Sequence, residues 1–131
     1  MRHLASIVLA LAALLHSVGV AAQTACAIPP APPPRLERHG TITVIFATGT
    51  ITVANTGQAC GRQLSFAPDS RMEIMRQPGH GSVALTGPRF DYTPSPGYVG
   101  QDSFVIRIAV NDQGFSVWTF EVSVVAPEQA R

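Results

Sequence analysis

The chain contains no lysine, and only 13% of its residues are charged. Its basic residues are all arginine, nine against eight aspartates and glutamates. A near-neutral chain of this kind makes no case for a nucleic acid or an anionic lipid as partner. Cysteine is scarce too: two residues allow at most one bridge, and a chain of this size buries a core without metals or several staples. No glycine-rich phosphate loop occurs, and none of Ser65, Ser82 and Ser103 sits in a G-x-S-x-G elbow. After the first 22 residues no apolar run is long enough to cross a membrane, and no stretch has the period of an amphipathic helix.

What is present begins with Met-Arg-His, a run LASIVLALAALL and the small-residue segment HSVGVAAQ, the layout of a secretory signal peptide. Its apolar core is shorter than the roughly 20 residues of a permanent span, which predicts cleavage, placed after Ala22, and no membrane span thereafter. The expected organisation is a signal peptide over 1–22, a proline-rich arm over 23–39, one β domain over 40–126 and a tail over 127–131. Cys26 and Cys60 both follow the cut, where an exported compartment permits them to pair. The competing reading makes Cys26 a lipid anchor, with Thr24 and Ala25 suited to it and Gln23 standing where a bulky aliphatic residue belongs.

IPPAPPP, residues 28–34, favours an extended polyproline conformation and lacks the backbone donors of a central strand. From Gly40 the pattern has period two and is rich in Thr, Val, Ile and Phe, which suit a pleated surface. Ile42, Val44 and Phe46 share one face of a first strand and Ile51 and Val53 one face of a second, with a tight turn expected at Ala47–Thr50. Further short strands are expected at 63–67, 72–75, 82–85 and 89–92, separated by Pro, Gly and Asp clusters. Phe90 and Tyr92 share a face. Pro94, Pro96, Gly97 and Gly100 then interrupt regular pairing and make a corner before Asp102. Phe104 to Val110 and Trp118 to Val124 alternate on either side of Asn111-Asp112-Gln113-Gly114, which reads as a hairpin. Seven to eight strands about ten residues apart favour two packed sheets.

The segment 77–114, QPGHGSVALTGPRFDYTPSPGYVGQDSFVIRIAVNDQG, resembles bacterial immunoglobulin-like and cadherin-like repeats of surface and secreted proteins. The matching features are P-x-H-G-x-V, F-x-Y-T-P, G-Y-x-G-x-D-S-F and a hairpin closed by D-x-G. The resemblance implies an all-β, immunoglobulin-like Greek-key β-sandwich, here following an N-terminal signal helix. It also implies a spacer, adhesion or binding module without catalysis or cofactor. Relatives often hold calcium with acidic runs; here Asn111-Asp112 stands in that area, with Asp69 and Asp102 elsewhere.

Candidate sites are few. His39 and His80 each stand beside a glycine in an expected turn, and Asp91, Asp102 and Asp112 lie next to turns with local backbone partners. Met72, Met75 and His80 form a soft ligand set for copper, although strand positions three apart face opposite ways unless a bulge intervenes. Tyr98 in the corner is either core or a partner contact, and Ile45, Val105 and Val117 are expected on outward phases as an apolar patch. Trp118 is expected in the core. The function expected is a periplasmic or secreted, non-catalytic interaction or structural module, its partner an unidentified protein or envelope component. A periplasmic copper-binding β-sandwich is the alternative.

Overall fold

The structure, a computed structural model, describes residues 25–127. The expected signal peptide and its cleavage point, and residues 128–131 of the tail, lie outside the described residues. The described chain is built from strands: β1 (Cys26–Ala27), β2 (Arg35–His39), β3 (Ile42–Ala54), β4 (Cys60–Gln63), β5 (Arg71–Arg76), β6 (Gly81–Thr86), β7 (Arg89–Pro94), β8 (Gly100–Asn111) and β9 (Gly114–Val125). They form two sheets. The large one runs β1-β3-β9-β8-β5, with β2 also paired to β3, and the small one runs β4-β7-β6.

β8 and β9 hold the hairpin read from the sequence, antiparallel and joined through Asp112 and Gln113. Phe104, Ile106 and Ile108 on β8 and Phe120, Val122 and Val124 on β9 are buried, as their alternation requires. From the small sheet Phe90 and Tyr92 face them, both fully buried. Phe90 lies 4.6 Å from Phe120 and Phe104 lies 5.0 Å from Phe120, ring centre to ring centre. This aromatic cluster fills the space between the sheets, where large side chains remove most apolar area from water.

The tight turn expected at Ala47–Thr50 is absent. Residues 42–54 instead form one continuous strand that runs parallel to β9, in register from Thr43 opposite Gly114 to Ala54 opposite Val125. Gly49 does not bend the chain; it makes room. A Cβ there would fall 2.5 Å from the Phe120 ring, so the glycine lets that ring pack directly on the backbone. The straight strand turns the expected inner face of its first half outward. Ile51 and Val53 point into the core, Ile45 lines the same inner side, and Ile42, Val44 and Phe46 share the outer one. Ile45 therefore does not belong to an outward patch with Val105 and Val117.

The sheet also begins earlier than Gly40. Arg35–His39 pairs with Phe46–Ile42, and Cys26–Ala27 pairs with Val53–Thr52. Between them residues 28–34 stand opposite only 47–51 of β3, so seven residues span five. Without prolyl N–H groups the segment cannot follow the ladder, and it arches off the edge. Cys26 and Cys60 form a disulfide that ties β1 of the large sheet to β4 of the small one. The strand expected over 63–67 is displaced to Cys60–Gln63, where Cys60 pairs with Tyr92.

Candidate functional site

The corner after β7 is built around one carboxylate. Asp102 is 9% exposed and accepts four hydrogen bonds: from Tyr92 Oη at 2.8 Å, the Gly79 N–H at 2.9 Å, the His80 N–H at 3.0 Å and the Ser103 N–H at 2.9 Å. It thereby joins the turn before β6, strand β7 and strand β8. Burial, then the hydrogen bond and charge of Asp102, push the Tyr92 phenol well above the ordinary tyrosine range. Gly97 has φ 78° and Gly100 has φ 143°, conformations that a side chain resists, and Pro94 is buried at the end of β7 while Pro96 is exposed.

The remaining corner groups are also engaged. Tyr98, which the sequence leaves open as core or partner contact, is half-buried; its hydroxyl donates to the Gln101 carbonyl and its ring stacks on His80 at 4.1 Å. The Asn55 amide donates to the carbonyls of Ser95 and Tyr98, closing the corner onto the end of β3. Asp91 accepts from Arg89 rather than facing another acid. Sequence reasoning placed Asp102 at a strand start with local partners. It missed the reach to Gly79 and His80, because a contact across 22 and 23 residues carries no periodic signal.

The copper set is not brought together. A bulge does fall between Ile74 and Arg76, but Met72 packs against the core while Met75 is 57% exposed. Met72 lines a depression with Phe66 and Leu85, and His80 lines another with Asp102 and Glu121. Among the described residues no three of His, Cys, Asp and Glu cluster as metal ligands.

The remaining feature is a groove of about 460 Å³ at the open end of the sandwich. The small sheet is shorter than the large one and leaves Ile45, Ala47, Ile108 and Val110 uncovered by strands; residues 28–34, Leu64 and Phe66 wall the space. Trp118 lies here, half-buried and stacked on Phe120 at 5.9 Å, rather than wholly in the core. The polyproline arch, read from the sequence as a spacer, is one side of this groove.

Two packed sheets, a first long strand parallel to the last and a corner locked by tyrosine and aspartate define an immunoglobulin-like β-sandwich. The family model described as bacterial Ig domain matches residues 34–124, and the chain belongs to that family. No curated protein matches the sequence. Among solved structures, the fold is similar to part of an endo-fucoidan hydrolase from glycoside hydrolase family 107. The TM-score is 0.42 at 10% identity, with 79% of this chain aligned to 24% of that one.

Proposed function

We propose that the chain is an exported, non-catalytic immunoglobulin-like module that holds a protein or cell-envelope partner. One observation carries the reading: Asp102, the buried carboxylate of the corner, has all its bonding capacity spent on the fold, and the hydroxyls of Tyr92 and Tyr98 are donated within that same corner. A general acid or base must keep a lone pair or a proton for substrate. Export agrees with the signal-like N-terminus and with a disulfide, which persists in oxidising compartments. Family membership supports the same class.

The edges limit how a partner engages. β2 carries Arg35, Glu37 and Arg38, and β5 carries Arg71, Glu73 and Arg76 beside a bulge, features that discourage strand addition. At these two edges of the large sheet a partner accordingly meets side chains rather than an open ladder. Leu36, Ile42, Met75 and Val99 are the large apolar residues most exposed among those described. The test is photo-cross-linking in the native envelope with the cross-linker placed at each of these four positions in turn. A discrete adduct from one or two positions supports the module; substrate turnover by the purified chain, or no adduct at any position, overturns it.

A further inference from the structure

We propose that the groove beneath the polyproline arch is a binding site for a small amphipathic anion. Its apolar body would pack on Trp118 and Phe66 and its acidic head would meet Arg62. The inference goes beyond partner holding and stands or falls separately from it.

The phase of β4 turns Arg62 toward the groove. Cys60 lies opposite Tyr92 and Arg62 lies opposite Phe90, and both partners are fully buried. In a strand of period two, Arg62 therefore shares the inward face with Cys60 and with Leu64 just beyond the strand, both buried. An arginine at an inward position is costly unless its guanidinium escapes or is paired. Arg62 remains exposed and lines the groove, and its guanidinium forms neither an ion pair nor a hydrogen bond with the described residues. Arg89, Arg107 and Arg35, by contrast, are each paired with a carboxylate.

The rest of the groove is mostly apolar. Ile28, Ile45, Ile108, Val110, Phe66 and Trp118 line it, and the prolines form a wall whose conformation is set in advance. Ser116 adds a nearby hydroxyl on the Trp118 face, without a hydrogen bond to the described residues. A volume of about 460 Å³ falls within the range of small-molecule sites, roughly 300–1,000 Å³, which combine mostly apolar walls with a few placed polar groups. A planar guanidinium at such a rim matches a carboxylate or sulfonate.

Trp118 is the one tryptophan of the chain, so its fluorescence reports on the groove directly. The purified chain is titrated with decanoate below its aggregation concentration and, in parallel, with uncharged decanol. The expected result is a saturable fluorescence change with decanoate that Arg62→Gln weakens roughly tenfold, the size of one lost charge-assisted hydrogen bond. Arg62→Lys restores part of it, and decanol binding is the same in all three proteins. Melting curves of the variants check that folding is intact. No saturable change with decanoate, or equal decanoate affinity in Arg62→Gln, overturns the site and leaves Arg62 as an inward charge guarding the edge of the small sheet. Concentration-dependent burial of Trp118 without ligand also overturns it, since a second copy would then fill the groove.

Discussion

At the residue scale, Tyr92 and Asp102 show how one pair can organise a corner. Tyr92 is fully buried and donates to a carboxylate that three backbone N–H groups also address. Tyr92→Phe removes that hydroxyl and leaves a buried acceptor with one donor fewer, and is expected to cost about 1–3 kcal/mol in denaturant unfolding. The same contact sets a pH response. An unfolded phenol ionises near pH ~10, whereas the folded one is held protonated to higher pH. The contribution is therefore complete below about pH 10 and is lost as pH rises further. Wild-type stability should fall more steeply above that point than stability of Tyr92→Phe, as compared by urea midpoints between pH 8 and about 11. Gly97 has φ 78° with open space around it, so a side chain there meets only backbone strain. Gly97→Val should lower stability by roughly 1–3 kcal/mol without disturbing packing, and an unchanged melting temperature would contradict the corner geometry.

At the scale of elements, β3 is where local pattern and final structure part. Thr-Gly-Thr between two alternating runs satisfies the usual hairpin signal. What overrides it is β9, whose parallel ladder accompanies β3 throughout and whose Phe120 ring occupies the place a side chain at Gly49 would need. Gly49→Val should displace that ring and cost about 2–4 kcal/mol, in the range of overpacking plus lost aromatic contact, read by thermal melting. The β8–β9 hairpin, by contrast, was legible because its turn residues and its two alternating flanks act over short distances. The disulfide joins elements from different sheets across a separation of 34 residues, and in the chain-entropy model such a loop contributes about 3–4 kcal/mol. Reduction should lower the melting temperature while far-ultraviolet circular dichroism remains that of a β protein.

At the scale of the molecule, the unequal length of the two sheets creates the groove. Each long strand of the large sheet extends past the four- to six-residue strands opposite, and the exposed inner face is covered by residues 28–34 instead. Cys26 fixes one end of that arch and β2 fixes the other. Reduction should therefore also change Trp118 fluorescence, by loosening the wall beside it. N-terminal sequencing of the natively expressed protein tests the expected processing: Gln23 as first residue supports export with cleavage after Ala22, and an intact Met1 contradicts it.

Composition and period-two alternation by themselves determined an all-β chain, its last hairpin, the buried phase of β8 and β9 and the glycine-proline corner, since these depend on neighbours within a few residues. Only the tertiary structure decided that β3 runs straight, that the proline stretch walls a groove, that Tyr98 is engaged internally and that Arg62 faces inward unpaired. Those outcomes depend on which strand lies alongside which. Pairing between distant segments is chosen by the packing of the whole core, which no local pattern encodes.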